Sequence, residues 1–474
     1  MTTDWTAVSK TISQEWDKTI LPSISAYIEV PNQSPHYDPE WATNGFMGKA
    51  MKVITDWVKT QPIKGLKYEV IEEKGRTPFL IVEIEGTKPT ANTLLMYGHM
   101  DKQPPLPPWG EGLHPYKPVY RDGKLYGRGG ADDGYAIYSA LSAVAAVQKH
   151  GLPHGRIVTI IEACEESGSF DLPFYIEKCS NRIGNVDLLI CLDSGAMNYE
   201  QLWLTTALRG LGGGVLSIEI TTEGMHSGLA GGVVPDTFRI ARMLLDRVED
   251  SATGTVKIPE AYCDVPDSAM KGLKVMNEVD FKGQYPLLPG VSTEPGDNAE
   301  LALRNFWKPS LTVTGSNLPE SEKAGNVVRA KSTFRLSLRV PPLVDSAKAT
   351  EALGKVLMAN PPYGAKVHFH ADTAGSGCAT PEIQPWLHKS LTEGCHTAFG
   401  KPFASQGMGG SIPFIAMLMK KFPQAQFIVT GVLGPKSNAH GPNEFLHVPF
   451  AKGITLCVAR VIADHFHATP KLAK

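Results

Sequence analysis

Apolar side chains recur every three or four positions between residues 5 and 60, and this spacing predicts helices at the start of the chain. A segment with several prolines, residues 27–41, interrupts them and is typical of a surface loop. From residue 68 the pattern changes to short apolar runs, which predict buried strands. These runs are 68–71, 79–85, 93–97, 157–163 and 186–192. An alanine-rich stretch over 135–150 predicts a helix between the third and fourth runs, so this region has the alternation of an α/β fold.

The order of predicted elements changes over residues 206–380. The pattern there predicts strand, helix, two strands, helix and strand, with an irregular segment after the first helix: 215–222, 236–248, 310–315, 332–339, 346–359 and 365–371. This βαββαβ order is typical of a ferredoxin-like unit, and the glycines of Gly210–Gly214 at its start predict a hinge. Helix, strand and closing helix then return over 386–465.

We therefore predict an α/β catalytic domain in two parts, 1–205 and 381–474, whose mixed, mostly parallel sheet is flanked by helices. The inserted ferredoxin-like α+β domain, 206–380, is expected to serve as a lid or dimerisation domain. Two domains also agree with the length of 474 residues, which exceeds what one hydrophobic core usually serves.

Composition narrows the range of partners. The formal net charge of −2 and the lack of a basic tract argue against a nucleic-acid surface, so we expect a small-molecule partner. No apolar stretch is long enough to span a bilayer, and the first residues contain no basic leader or apolar run. We therefore expect no membrane association and a cytoplasmic location. Seven cysteines without a Cys-x-x-Cys pair favour reduced core thiols over disulfides or a thiolate zinc site.

Candidate metal ligands follow the predicted strands. His99 and Asp101 come directly after one apolar run, where a histidine can bind a metal and Asp101 is close enough to hold its other ring N–H. A His-x-Asp pair alone is more often a solvated loop pair. Further acids and a histidine follow other strands or turns: Asp132, Glu165, Glu166, Asp193 and His440. Because such residues gather at the carboxyl edge of an α/β sheet, the whole set favours a metal site.

The loop Gly127–Gly134 has a competing interpretation, because glycines before a helix can also cradle a phosphate. Asp132 and Asp133 would repel that ligand, and no Walker lysine follows. A nucleotide-dependent enzyme is therefore the less favoured alternative.

Several stretches resemble the motifs of one enzyme family. They are Gly98-His99-Met100-Asp101, Asp122 to Asp133, Glu165-Glu166-Ser167-Gly168-Ser169, Asp193-Ser194-Gly195, Gly224-Met225-His226-Ser227-Gly228, and His440 with Asn443-Glu444. Together they resemble the dinuclear zinc metallopeptidases that include carnosinase-like dipeptidases, bacterial-type glutamate carboxypeptidases, aminoacylases and succinyl-diaminopimelate desuccinylases. The length of the chain favours the carnosinase-like branch.

The resemblance implies two divalent metal ions, with zinc expected first and manganese as the alternative. By this resemblance, His99 and Asp193 hold one ion, Glu166 and His440 hold the other, and Asp132 bridges the two. Nitrogen and oxygen ligands of these types suit both metals.

The resemblance also assigns the remaining catalytic residues. Glu165 is expected to be the general base and Asp101 to act beside the metal ligands. The peptide bond between Asp132 and Asp133 is expected to be cis. His226 of the inserted domain resembles a histidine that stabilises the tetrahedral oxyanion, in dimers often from the neighbouring subunit.

Arg339 ends an alternating strand, where its guanidinium fork could hold a substrate carboxylate, and it resembles the arginine that carnosinase-like enzymes use in this way. Gly410 and Ser411 lie in a stretch that resembles their carboxylate-contacting loop, and Asn326 resembles a polar substrate contact more loosely. The expected reaction is amide hydrolysis of dipeptides or small peptides with a free C-terminal carboxylate, catalysed by a homodimer. One alternative is an N-acyl-amino-acid deacylase with the same metal centre. The other is a catalytically silent peptide-binding module, which predicts a missing ligand or base, and none is missing.

Overall fold

The computed structural model describes residues 3–372, 374–410 and 412–470. Its α-helices are α1 Trp5–Glu15, α2 Leu21–Ile28, α3 Phe46–Thr60, α4 Tyr135–Lys149, α5 Leu172–Lys178, α6 Ser180–Ile183, α7 Ser227–Ala230, α8 Thr237–Val248, α9 Asp267–Leu273, α10 Asn298–Trp307, α11 Ser346–Met358, α12 Pro385–Phe399, α13 Pro413–Lys421 and α14 Val448–Ala468. Its β-strands are β1 Leu66–Ile71, β2 Phe79–Ile84, β3 Thr93–His99, β4 Val119–Arg121, β5 Lys124–Tyr126, β6 Arg156–Glu162, β7 Val186–Cys191, β8 Trp203–Leu208, β9 Gly210–Glu219, β10 Met225–His226, β11 Ser310–Ser316, β12 Val327–Val328, β13 Lys331–Val340, β14 Lys366–Ala371, β15 Cys378–Ala379, β16 Ala404–Met408, β17 Gln426–Val429 and β18 Phe445–His447.

The largest sheet has the strand order β1-β2-β6-β3-β7-β17. Strands β6, β3, β7 and β17 run parallel, whereas β1 and β2 form an antiparallel edge. Every residue of β3 is buried, as expected for a parallel strand covered on both faces. Leu94 and Met96 pack towards α4, α12 and α14, while Leu95 and Tyr97 pack towards α5 and α13. The predicted mixed, mostly parallel α/β sheet is therefore confirmed.

A second, antiparallel sheet has the order β11-β13-β9-β14. Helices α8 and α11 pack on it, and the alternating residues Phe334, Leu336 and Leu338 of β13 enter the shared core. This is the strand order of a ferredoxin-like unit, as the βαββαβ pattern indicated. The domain limits at residues 206 and 380 stay a prediction.

The glycines of Gly210–Gly214 were expected to form a hinge, and this expectation was wrong. They belong to β9, which pairs with both β13 and β14. A Cβ at Gly212 would lie 2.0 Å from Thr350 Oγ1, and one at Gly214 would lie 2.2 Å from the His370 carbonyl oxygen. The glycines therefore allow close packing of β9 against its neighbours rather than movement.

The segment before β11, predicted to be irregular, contains α9 and α10. Both helices are short, and their buried residues Leu273, Phe306 and Trp307 pack into the core of the large sheet. Tertiary burial stabilises such short helices more than local propensity does, so the local pattern was too weak to predict them. Within the ranges that the structure describes, no helix is long and apolar enough to cross a membrane.

Candidate metal centre and active site

The candidate ligands lie at the carboxyl edge of the parallel strands. His99 is the last residue of β3, and Asp193 follows β7. Glu166 follows β6 in a short 3-10 turn over Glu165–Ser167. Asp132 precedes α4, and His440 lies in the connection between β17 and β18. The fold therefore brings together residues that are separated by more than 300 positions in the chain.

One group of potential ligands consists of His99, Asp132 and Asp193. The Nε2 atom of His99 lies 3.4 Å from Asp132 Oδ1 and 3.8 Å from Asp193 Oδ2. This Nε2 atom is buried and has no hydrogen-bond partner. Atoms that share one zinc ion at about 2.0–2.2 Å must lie roughly 3–4 Å apart, so these distances suit a common ion.

A second group consists of Asp132, Glu166 and His440. The Nε2 atom of His440 lies 3.0 Å from Asp132 Oδ2 and 3.2 Å from Glu166 Oε2. Asp132 thus directs one carboxylate oxygen to each histidine. This is the arrangement required of a carboxylate that bridges two ions.

The electrostatics of these groups favour cations. Burial raises the pKa of Asp193 to about 7, and burial followed by the charge of Asp132 raises the pKa of Glu166. Burial acts to lower the pKa of His440, but its hydrogen bonds to Asp132 and Glu166 outweigh burial and raise that pKa to about 11. The excess negative charge that retains a proton on this ring would also attract divalent ions. The donor set fits two ions bound by nitrogen and oxygen.

Asp101 orients the ligands rather than joining either group. Its two carboxylate oxygens accept the backbone N–H groups of Glu165 and Glu166, each at 3.0 Å. The Nδ1 atom of His99 lies 3.4 Å from Asp101 Oδ1 and closer, at 3.1 Å, to the Asp101 carbonyl oxygen. The ring orientation therefore depends on the main chain of Asp101 as well as on its carboxylate.

Glu165 belongs to neither ligand group. Burial, followed by the charge of Asp193, raises the pKa of Glu165 well above its usual range. Burial and the neighbouring charge therefore favour the protonated form of Glu165 more than they would favour that of an exposed glutamate. The peptide bond between Asp132 and Asp133 is cis, which confirms that expectation.

Three supporting residues were given no role from sequence. Glu444 Oε1 accepts backbone N–H groups of the loop that carries Asp132, at 3.0–3.3 Å, and its other oxygen pairs with Arg128. Gln103 Nε2 donates to Glu166 Oε2 at 2.7 Å. Glu444 and Arg128 lie within the stretches that carry the family resemblance. Their position in these motifs was the only feature of the sequence that pointed to a role for them.

The structure brings part of the expected substrate subsite together. Arg339 lies on β13, and its Nη1 atom is buried without a hydrogen-bond partner. Arg209, which interacts electrostatically with Arg339, donates from Nε to the carbonyl oxygen of Gly409, the residue before Gly410. Ser411, also expected in this subsite, lies outside the described residues.

His226 and Asn326 lie at a separate two-stranded sheet formed by β10 and β12. His226 pairs with Val327 between β10 and β12, and Ser227 donates its N–H to the Asn326 carbonyl oxygen at 2.9 Å. His226 is exposed, and its Nδ1 atom accepts the Gly228 N–H. Among the described residues, no hydrogen bond or ion pair joins His226 or Asn326 to the metal ligands.

Comparison with known proteins adds an independent test. The model of peptidase family M20/M25/M40 matches residues 95–464, which include every candidate metal ligand. The chain belongs to this family. It is therefore an enzyme that hydrolyses peptides with the help of a divalent metal.

Individual M20 relatives agree with this assignment. The chain is 27% identical over 439 residues to the cysteinylglycine-S-conjugate dipeptidase of Corynebacterium striatum, covering 89% of this chain and 92% of the relative. It is 29% identical over 243 residues to human β-Ala-His dipeptidase, a match that covers 50% of this chain and 47% of the human protein.

Solved structures of M20 peptidases share the fold. The dipeptidase Dug1p of Saccharomyces cerevisiae superposes with a TM-score of 0.72 at 23% identity, covering 98% of this chain and 99% of that one. Human carnosine dipeptidase 1 superposes with a TM-score of 0.68 at 19% identity, covering 97% and 99% of the two chains.

Proposed function

We propose that this M20 peptidase hydrolyses dipeptides that carry a free C-terminal carboxylate, with two divalent metal ions at the centre described above. The observation that carries this proposal is the position of Asp132, whose two oxygens face His99 and His440 separately. Two relatives, a cysteinylglycine-S-conjugate dipeptidase and a β-Ala-His dipeptidase, support a dipeptide substrate.

The residues divide into metal ligands and proton carriers. His99 and Asp193 would hold one ion, Glu166 and His440 the other, and Asp132 both. When bound, such ions polarise the scissile carbonyl and lower the pKa of the attacking water.

Glu165 is proposed as the general base, since it stands next to a ligand without being one. It would take a proton from the water and deliver it to the leaving amine. Asp101 holds the backbone of Glu165 in place and so sets the position of this carboxylate. Zinc is the proposed native metal and manganese the alternative.

The proposed site for the substrate carboxylate combines Arg339, Gly410 and Ser411, and Asn326 is proposed as a separate polar contact to the substrate. Arg339 supports this role because it has an unpartnered buried N–H and forms no ion pair within the described chain. A guanidinium without an ion-pair partner can bind a carboxylate without first breaking an existing ion pair.

We further propose a homodimer in which His226 reaches the active site of the partner subunit. Two exposed apolar residues lie near His226: Val327 pairs with it, and Leu229 lies in the helix α7 that follows it. Leu229 is 83% exposed, and exposed apolar residues of this kind favour a protein interface.

The test is an assay of the metal-reconstituted enzyme on cysteinylglycine, β-Ala-His, their C-terminal amides and N-acetyl amino acids. We expect turnover of the free dipeptides, about two metal ions per chain, and a loss of roughly 10²- to 10⁴-fold in kcat for Glu165→Ala with metal content intact. Glu177→Ala, which removes an exposed glutamate paired with Lys421, is the control and should behave as wild type.

Two results would contradict the proposal. Turnover of N-acetyl amino acids alone would assign the enzyme to the deacylases. Metal binding without turnover of any compound would favour a binding module.

A further inference from the structure

Two arginines at the edge of the second sheet carry positive charge without an acidic partner. Within the described residues, neither Arg209 nor Arg339 forms an ion pair, although other arginines such as Arg335 do. Arg209 is only 7% exposed. A buried guanidinium usually pairs with a carboxylate, because an uncompensated charge is costly away from water.

The two side chains lie on one face of the sheet. In the strand register, Arg339 stands opposite Ser310 on one side and opposite Leu211 on the other. Arg209 is two residues before Leu211, and its Nη1 atom donates to Ser310 Oγ at 3.1 Å. Burial, followed by the charge of Arg339, lowers the pKa of Arg209 to about 10, which agrees with this proximity.

The hydrogen bonds of Arg209 all go to neutral groups. Its Nε atom donates to the Gly409 carbonyl oxygen at 3.0 Å, and its Nη1 atom also reaches the Lys308 carbonyl oxygen at 3.4 Å. Its backbone N–H donates to the Met408 carbonyl oxygen at 3.2 Å. The side chain therefore connects the loop after β16 to the start of β11 while keeping its full charge.

The Gly409 loop is contacted by two elements. A Cβ at Gly409 would lie 2.6 Å from Asn305 Oδ1, so the loop packs tightly on α10. Arg209 contacts the same loop through the Gly409 carbonyl oxygen. One side chain thus contacts both this loop and Ser310, which stands opposite Arg339 in the strand register.

We propose that Arg209 is the positioning residue of the substrate-carboxylate subsite. It holds the Gly409–Gly410 loop and Ser310 beside Arg339, and its charge adds to that of Arg339 in selecting an anionic C terminus. This inference rests on the proposed dipeptidase function. It assigns carboxylate selectivity to a pair of arginines rather than to Arg339 alone.

The test compares the free acid and the C-terminal amide of one dipeptide. For Arg209→Met we expect KM for the acid to rise about 10- to 100-fold with kcat nearly unchanged. KM for the amide should change little, so the preference for acid over amide in kcat/KM should fall by a similar factor. Arg335→Met is the matched control, because Arg335 lies on the same face of β13 but is already paired with Asp372.

Two further variants apply if Arg209→Met does not fold. Arg209→Lys keeps the charge but loses the fork, and Ser310→Ala removes only one acceptor, so both should raise KM for the acid by a smaller factor. Wild-type values for both variants would overturn the proposal.

The outcomes separate this inference from the function on which it rests. An equal rise in KM for acid and amide, or an equal effect of Arg335→Met, would overturn the role of Arg209 while dipeptidase activity stands. A wild-type enzyme that does not hydrolyse dipeptides would overturn the function and the inference together.

Discussion

Asp101 is a buried carboxylate that contacts the residues around the candidate metal centre without belonging to either ligand group. Each of its oxygens accepts a backbone N–H from the turn that carries Glu165 and Glu166, and its main chain contacts the ring of His99. Groups that orient metal ligands in this way usually affect both metal affinity and turnover. Asp101 is fully buried, so an N–H that loses its acceptor there cannot turn to water instead.

For Asp101→Asn we expect metal affinity to fall about 10- to 100-fold, with a parallel loss of kcat/KM. The amide places an NH₂ group against one of the two backbone donors and so displaces the Glu165–Ser167 turn. Metal titration and steady-state kinetics measure both effects. The control is Asp171→Asn, because Asp171 is equally buried but accepts from Arg76 and Thr77 instead. That control should lower thermal stability alone, and the same kinetic loss in both variants would contradict the role of Asp101.

At the scale of elements, hydrogen bonds connect the C-terminal end of the closing helix α14 to the start of β7 in the large sheet. One carboxylate oxygen of Asp187 accepts a hydrogen bond from His465 Nε2 at 2.7 Å, and the other accepts one from Thr469 Oγ1 at 2.8 Å. Burial acts to raise the pKa of Asp187, but the hydrogen bond from His465 and the other donors outweigh it, so the pKa is lowered. The ionised form therefore stabilises the folded chain.

For Asp187→Asn we expect a loss of about 1–2 kcal/mol in the free energy of unfolding near neutral pH. Because the pKa of Asp187 is lower when folded, its contribution is present above the unfolded pKa of about 4 and fades as pH falls below that value. Hydrogen exchange of α14 should be faster at its C-terminal end in the variant. Asp17→Asn, which removes an exposed ion pair to Lys452 on the same helix, is the control, and equal effects of the two variants would argue against a specific tie.

At the scale of the whole molecule, the candidate site residues lie on three sheets. The candidate metal ligands lie at the carboxyl edge of the parallel sheet, Arg339 lies on β13 of the four-stranded sheet, and His226 lies on the two-stranded sheet of β10 and β12. His226 and its pairing partner Val327 are exposed, and the proposed homodimer would cover this surface with a second copy of the chain.

Mixing two inactive variants tests the dimer. His226→Ala and Glu165→Ala should each be inactive as homodimers with metal bound. If His226 acts on the partner subunit, hybrids contain one complete site, and an equal mixture should regain about a quarter of wild-type activity. The control is a mixture of His226→Ala with Glu177→Ala, an active variant changed at an exposed residue. Its activity shows the effect of diluting active subunits with inactive ones. No recovery in the mixture, together with light scattering that shows a monomer, would contradict the proposed assembly.

The sequence alone determined the strand ends and the residue types of the centre. His99, Glu165, Glu166 and Asp193 each follow an apolar run, so their place at the edge of a sheet depends on local pattern. The ferredoxin-like order of the second sheet was predictable for the same reason, since alternation and helix spacing are properties of short segments. The assignment of ligands to two ions came from resemblance, and the individual roles of the residues stay predictions.

Only the tertiary structure decided which distant groups meet. Glu444 supports the Asp132 loop across 312 positions, Arg209 holds Gly409 across 200, and neither pairing leaves a periodic trace in the sequence. The glycines of β9 were misread as a hinge because the atoms that exclude a Cβ there belong to other elements. Local sequence patterns indicate the backbone conformation that each segment adopts. The positions of charges and donors around the centre depend on packing between segments, which no single segment encodes.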